Sequence, residues 1–125
     1  MHLTDASCDN AAIADITRER QRPTSQVQPP GGDPAGWPAV DPQIRRARLG
    51  DRTDVVTVGI GAIGLPFGEC LNLALAHVSC AAYYANPPEA VECLDAKLAR
   101  IRDEYGRMLG AIHRAAPHAR VITVG

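Results

Sequence analysis

The sequence predicts an α/β protein with parallel strands, and three observations support that prediction. A β-branched run, Val55 to Val58, leads directly into a glycine-rich loop. A long apolar stripe at helical spacing follows, and a second β-branched run begins at Arg120. Strand, helical segment and strand form a βαβ-type crossover over residues 54–125, a connection that makes the two strands parallel. Because two strands make a poor independent sheet, we expect an incomplete sheet in a chain cut off in mid-fold.

The N-terminal third is predicted to contain little regular structure. Residues 6–20 favour a turn and a short helix that Asp9 or Asn10 could cap. Residues 21–41 are rich in proline and glycine, and this density of helix and strand breakers predicts a long loop. One or two helical turns follow between Pro42 and Leu49, with Pro42 at the first helical position.

Two helices are predicted between the strands. The first covers Phe67 to Val78, and a break from Ala81 to Pro88 follows it because two consecutive prolines stop a helix. The second helix ends near Ala116. Its apolar residues recur at alternating steps of three and four residues, and this stripe should cover the sheet. The stripe consists of Val91, Leu94, Leu98, Ile101, Tyr105, Met108 and Ile112.

Length and composition restrict the function classes. A chain of 125 residues that is 46% hydrophobic and 22% charged forms one domain, residues 1–125. The net charge is −1, and Lys97 is the only lysine, so no nucleic-acid surface is predicted. The apolar stretches fall short of the ~20 residues that a membrane span requires. The first five residues contain neither a basic nor an apolar region, so no signal peptide is predicted.

The four cysteines do not point to a metal site. Cys8, Cys70, Cys80 and Cys93 include no Cys-x-x-Cys pair, which zinc sites usually contain, and His77 beside Cys80 is more simply a helix-end histidine. No metal and no cofactor are predicted. A disulfide among the last three cysteines is expected if the protein is exported.

The loop after Val58 has the spacing of a dinucleotide-binding fingerprint. Gly59, Gly61 and Gly64 form Gly-x-Gly-x-x-Gly between a strand and a helix, which is typical of Rossmann-like NAD(P)-binding units. That mechanism also requires a second strand that ends in a carboxylate about 20 residues on. Residues 79–86 contain no carboxylate, and Glu89 follows two prolines. Dinucleotide binding therefore remains an alternative.

The run from Asp5 to Ala11 reads Asp-Ala-Ser-Cys-Asp-Asn-Ala. Together with the segments described next, in order, it resembles the SGNH (GDSL-type) hydrolases, and in particular secreted actinobacterial esterases and lipases, whose second block reads D-x-S-C-x-G-A. The run from Thr53 to Gly61 resembles the strand that enters the third block. The helix and strand that end in Val-Ile-Thr-Val-Gly resemble the elements that follow. The resemblance implies a partial three-layer α/β/α sandwich with parallel strands, of the flavodoxin-like type.

The resemblance also implies ester or lipid hydrolysis, but this chain departs from the family at its catalytic positions. Gly-Asp-Ser and Asp-x-x-His, which supply the nucleophile and the base, are absent, so no catalytic residue is assigned. The two oxyanion-hole positions hold Asn10 in place of Gly and Ile63 in place of Asn. We therefore expect no esterase activity from this chain alone. The family is typically secreted, and its pattern implies a disulfide between Cys93 and either Cys70 or Cys80.

A third hypothesis is a non-catalytic interaction module. The loop from Pro23 to Pro38, with Trp37, would then be the contact surface, although Trp37 could instead pack on the sheet edge. An incomplete sheet also exposes a strand edge, which favours self-association.

Overall fold

The structure, a computed structural model, describes residues 2–23 and 36–124, and for Ile63 it describes the backbone alone. The described part is a mixed α/β fold whose helices precede and connect two parallel strands. In chain order its elements are α1 (Ile13–Thr17), α2 (Gln43–Arg46), β1 (Val55–Val58), a 3₁₀ turn (Ala62–Gly64), α3 (Phe67–Leu75), α4 (Cys80–Ala85), α5 (Leu94–Ala115) and β2 (Arg120–Thr123).

The predicted pair of parallel strands is confirmed. Val55 pairs with Arg120 and Val58 with Thr123, so the whole of β1 lies alongside β2. Successive side chains of a strand point to opposite faces of the sheet. Val56, Val58 and Val121 accordingly face the core and are buried or partly buried.

The core lies between the sheet, α1 and the C-terminal half of α5. Met108 is 1% exposed and Ile112 is 2% exposed, and both pack in one buried cluster with Val58 and with Ile13 and Ile16 of α1. The helical stripe read from the sequence therefore forms the core at its C-terminal end. At its other end Leu94 and Leu98 remain largely exposed. The prediction that the entire stripe covers the sheet is wrong, because a sheet of two four-residue strands is much shorter than a 22-residue helix.

Local hydrogen bonds explain where the shorter helices begin and end. The Asp15 carboxylate accepts a hydrogen bond from the backbone nitrogen of Ala12 at 2.8 Å, which fixes the first turn of α1. Helix α3 ends where His77 adopts a φ of +58°. Its amide donates to the Ala74 carbonyl and the Val78 amide donates to the Leu73 carbonyl, which is the Schellman arrangement.

The predicted break at Ala81 to Pro88 is wrong in its first half, because α4 occupies Cys80–Ala85. The Ser79 hydroxyl accepts a hydrogen bond from the Ala82 amide and caps this helix. The two prolines then stop it, as expected, but six residues of helix fit before them.

One face of the sheet is open among the described residues. Val55, Ile122 and Val124 lie on the face away from α5 and are 53%, 43% and 59% exposed. Two layers are therefore present, and the third layer of the predicted sandwich stays a prediction.

The two ends of the Pro/Gly-rich segment meet. Gln21 and Val40 form an antiparallel bridge through two backbone hydrogen bonds of 3.1 and 2.8 Å. Trp37, at a bend, is partly buried. The rest of the predicted loop, residues 24–35, lies outside the described residues.

No helix within the described ranges is long and apolar enough to cross a membrane.

Candidate functional site

The glycine loop leaves the carboxyl end of β1 and turns through the 3₁₀ segment into α3. Gly61 has a φ of +121°, a conformation that side chains with a Cβ rarely adopt. A Cβ at Gly64 would lie 2.9 Å from Cδ1 of Ile101, so this glycine allows the loop to approach α5 closely. A Cβ at Gly59 would lie 3.4 Å from the Val124 carbonyl oxygen, which is about van der Waals distance. The positive φ at Gly61 and the close packing at Gly64 thus account for two of the three glycines without a ligand.

The surroundings of the loop differ from those of a dinucleotide cradle. Helix α3 begins at Phe67, and Pro66, at its N-cap, has no backbone N–H with which to bind a phosphate. Residues 80–85, where the ribose-binding strand would be expected, form helix α4. The strand that does lie beside β1 ends at Thr123 and is followed by Val124, and neither residue carries a carboxylate.

Asn10, one of the two positions that the resemblance assigns to the oxyanion hole, lies in the turn before α1. Asn10 is exposed and has a φ of +58°, in the left-handed region that favours glycine and, among other residues, asparagine. Gln21 lies beneath this turn and is 7% exposed, and its Nε2 donates to the Asp9 carbonyl at 2.6 Å. Its Oε1 has no hydrogen-bond partner within the described part of the chain.

Asn10 and the glycine loop border the same core. Asn10 precedes Ile13 by three residues, Gly59 directly follows Val58, and Ile13 and Val58 belong to one buried cluster. Ile63 lies in the 3₁₀ turn of the loop. Ile13 and Val58 therefore meet in the core, three and five residues away from Asn10 and Ile63, the positions that the resemblance assigns to the oxyanion hole.

The serines lack the environment of a nucleophile. The Ser7 hydroxyl donates to Oδ1 of Asp5, and the Ser7 amide donates to the same oxygen at 2.9 Å. These two hydrogen bonds lower the pKa of the Asp5 carboxyl below its usual range. Ser79 caps α4, and Ser25 lies outside the described residues. No hydrogen bond joins a serine to a histidine between residues 2 and 23 or 36 and 124, and His113 and His118 are both exposed.

The structure corrects the expected disulfide. Cys70 of α3 is bonded to Cys80 of α4, with their Cα atoms 5.1 Å apart, so the prediction that Cys93 pairs with one of them is wrong. Cys93 and Cys8 are free and partly buried. Cys70 pairs with Cys80 because α3 and α4 are consecutive helices that pack against each other, which places the two cysteines within bonding distance. With Cys80 oxidised, the pair His77 and Cys80 cannot serve as metal ligands.

No group of three metal-binding side chains is found in the described ranges.

A cleft of about 220 Å³, which the sequence does not predict, lies between α1 and α5. Its lining includes Ile13 and Met108, which are both buried, and the exposed residues Arg18, Arg107 and Arg114. Arg107 and Arg114 are seven residues apart, beside the buried stripe of α5, and this spacing is the signal that places two cations on one helix face.

Comparisons with protein-family models, with curated proteins and with solved structures found no match for this chain.

Proposed function

We propose that the chain carries the middle blocks of an SGNH-type ester hydrolase fold and that it does not hydrolyse esters by itself. The observation that best supports the proposal is the backbone at Asn10. The family resemblance places a glycine there, and the φ of +58° is one that glycine adopts at no steric cost. A position chosen from the sequence pattern alone thus has a conformation that the family's residue adopts without strain.

The second support is the order of elements around the glycine loop. In an open parallel sheet, ligands bind outside the carboxyl ends of the strands. Loop 59–64 leaves that end of β1, and β1 lies parallel to β2, which the resemblance assigns as the next strand. The open face formed by Val55, Ile122 and Val124 is where a third layer would pack, since parallel sheets are usually covered on both faces.

The expected lack of hydrolysis follows from the missing groups. The Ser7 hydroxyl donates a hydrogen bond to Asp5, and within the described ranges no hydrogen bond joins it to a histidine that could act as its base. An isoleucine at position 63 has no side-chain donor for an oxyanion, and the loss of one such donor costs about 3–4 kcal/mol of transition-state stabilisation. Together with the missing nucleophile, this leaves no route to an acyl-enzyme.

The activity test uses the oxidised protein with p-nitrophenyl acetate and butyrate, and with a fluorophosphonate probe that labels activated serines. We expect no hydrolysis above the buffer rate and no labelling. Turnover that disappears in Ser7→Ala would refute the claim of inactivity.

A second experiment tests the backbone equivalence on which the family assignment depends. Asn10→Gly should leave stability unchanged within about 0.5 kcal/mol, whereas Asn10→Ala should lower it by about 1 kcal/mol, because alanine tolerates positive φ poorly. Urea denaturation of the two variants gives the difference. Equal stabilities would remove the main support for the proposal.

The dinucleotide alternative is supported by the Gly-x-Gly-x-x-Gly spacing alone. Titration with NADH, followed by fluorescence, tests it directly. Binding that is weakened in Gly61→Val would revive this alternative, and we expect no binding.

An interaction module is the third candidate, and exposed apolar surface supports it. Besides the open sheet face, Phe67, Leu71 and Leu75 form a stripe along α3 and are more than 60% exposed. Exposed apolar surface of this kind favours association. Size-exclusion chromatography across a concentration series separates a monomer from a self-associating chain.

We also place the protein in an oxidising compartment, because the Cys70–Cys80 disulfide persists under those conditions. Alkylation of the free thiols in freshly lysed cells, followed by peptide mapping, tests this placement.

A further inference from the structure

We propose that two copies of this chain form a symmetric dimer in which the apolar stripe of α3 in each copy packs on the open sheet face of the other copy. The stripe consists of Phe67, Leu71 and Leu75, and the open face consists of Val55, Ile122 and Val124. This pairing gives the interaction-module hypothesis a definite partner. It does not depend on the proposed SGNH relationship, because association and hydrolysis are measured separately.

Both surfaces are apolar and exposed. The three residues of the stripe recur every four positions, so they lie along one side of α3, and each is more than 60% exposed. On the sheet, Val55 and Ile122 point away from α5 on adjacent strands, and Val124 extends that face beyond the end of β2. Exposed apolar side chains gain free energy when another apolar surface removes them from water.

The two surfaces match in length. From Phe67 to Leu75 the stripe extends about 12 Å along the helix. The four residues of each strand extend about 13 Å. Parallel sheets are usually covered by helices on both faces, whereas α5 covers one face here and the described residues leave the other open. A helix from a second copy would therefore supply the missing layer.

Helix α3 is held away from the open face of its own chain. Gly64 lies so close to α5 that a Cβ would be 2.9 Å from Cδ1 of Ile101. Pro66, directly before α3, is buried. The beginning of α3 is thus fixed beside α5, on the side of the sheet opposite to Val55. The stripe can therefore cover an open sheet face only in a second copy.

The charges favour a second copy over a lipid surface. Helix α3 contains no Lys or Arg, which helices on membranes usually carry, and its one charged residue is Glu69. The net charge of the chain is −1, so two copies repel each other little. Within β1 and β2, Arg120 is the only charged residue on the open face, and its long side chain can extend into solvent.

The area is sufficient for a weak specific dimer. Six residues with on the order of 100 Å² exposed on each give one copy about 600 Å² of apolar surface. The two symmetric contacts together would bury about 1,200 Å², which is the lower end of the range for specific complexes. We therefore expect a Kd of micromolar order.

Sedimentation equilibrium of the oxidised chain, from about 5 μM to 1 mM, measures the dimer. Leu71→Glu and Ile122→Glu should each raise the Kd at least tenfold, because each places a charge in an apolar contact. Leu3→Glu is the matched control and should leave the Kd unchanged, because Leu3 is 83% exposed and belongs to neither surface. Circular dichroism establishes that each variant is folded. If Ile122→Glu is unfolded, Val124→Glu, which lies outside the strand, takes its place.

A mixture of the two variants identifies which surfaces meet. In Leu71→Glu alone, or in Ile122→Glu alone, both contacts of the dimer contain a glutamate. In a mixed dimer, the intact stripe of one variant meets the intact sheet face of the other, so one contact is restored. The equimolar mixture should therefore dimerise more strongly than either variant alone. A dimer that joins two stripes would instead survive in Ile122→Glu and gain nothing from mixing.

Four outcomes would overturn the proposal. These are a monomer at 1 mM, a Kd that Leu71→Glu or the sheet-face variant leaves unchanged, a mixture that associates no better than its components, and growth beyond the dimer into longer chains. Flotation of a monomeric chain with phosphatidylcholine and phosphatidylserine vesicles, if abolished by Leu71→Glu, would assign the stripe to lipid and would also refute the dimer.

Discussion

Removal of the Cys70–Cys80 disulfide is expected to open the α3–α4 hairpin without unfolding the rest of the protein. The perturbation is the double substitution Cys70→Ser with Cys80→Ser, which leaves no unpaired thiol behind. The bond closes a loop with a sequence separation of 10 residues. Loop-closure entropy for that length corresponds to about 2.7 kcal/mol at 25 °C. Since 1.4 kcal/mol is a tenfold change in an equilibrium constant, opening of the hairpin should become about 100-fold more favourable.

The hairpin should respond locally because little else holds it. Helix α3 has no buried residue, and Phe67, Leu71 and Leu75 all point into solvent. Helix α4 contributes one buried side chain, Tyr84. Helix α5, in contrast, contributes Met108 and Ile112 to the core.

Amide hydrogen exchange is the suitable assay, because it reports local opening segment by segment. Protection factors in α3 should fall by up to about 100-fold in the double variant, while those in the C-terminal half of α5 should change little. Cys93→Ser is the matched control and should leave both helices unchanged. Unaltered α3 protection, or a disulfide that contains Cys93 in the peptide map of the parent, would refute the reasoning.

Four further predictions follow from single contacts. Met108→Ala should lower the free energy of unfolding by about 2–5 kcal/mol in urea denaturation, because it leaves a cavity in the core; a loss below 1 kcal/mol would contradict the assigned burial. Gly106→Ala should raise the free energy of unfolding by about 0.5–1 kcal/mol, since a Cβ at this position meets open space and glycine weakens the middle of α5. A lower free energy of unfolding would show that other atoms cover α5 at Gly106. His77→Gly should raise the melting temperature by relieving the positive φ at the end of α3, and a lower melting temperature would argue against that backbone. The Arg100 guanidinium, 3.1 Å from Glu92, lowers the pKa of that carboxyl, so the ion pair stabilises the fold at neutral pH and this stabilisation is lost as the pH falls through the lowered pKa. In Arg100→Gln the pKa of Glu92, followed by ¹³C NMR, should rise toward its usual value. An unchanged pKa would exclude the pairing.

The elements that the sequence predicted correctly are those with a strong local pattern. The run Val55–Val58 forms β1, and the stripe that includes Met108 and Ile112 forms the core face of α5. In both cases the spacing of apolar residues is sufficient to predict whether the segment is a strand or a helix, because one face of the segment is buried.

The predictions of secondary structure and of disulfide pairing are wrong where the sequence pattern covers few residues or where the pairing depends on tertiary packing. The sequence pattern does not predict α4, because the two prolines after it indicate a break, although Ser79 before Cys80 and two alanines is a possible helix start. The pairing of Cys70 with Cys80 depends on how α3 and α4 meet, which no spacing rule supplies.

The sequence identifies the segments that contain the candidate site residues, but it does not predict their backbone conformation or how the segments pack together. The left-handed backbone at Asn10 could not be read from the residue type, because asparagine adopts several conformations. The cleft required knowledge that α1 packs on α5, since Arg18 and Arg107 are far apart in the sequence.

The pairing of β1 with β2 has a consequence for the order in which the chain folds. Val55 meets Arg120, 65 positions later, and loop closure over that distance must precede any gain from strand pairing. Helix α5 forms from neighbours in sequence, so it can be present while both strands are still unpaired. During that interval the apolar side chains of Val56, Val58 and Val121 are exposed to water, and exposed apolar surface of this kind favours aggregation. Assembly of the sheet is therefore the step at which temperature and a chaperone would most influence the yield of folded protein.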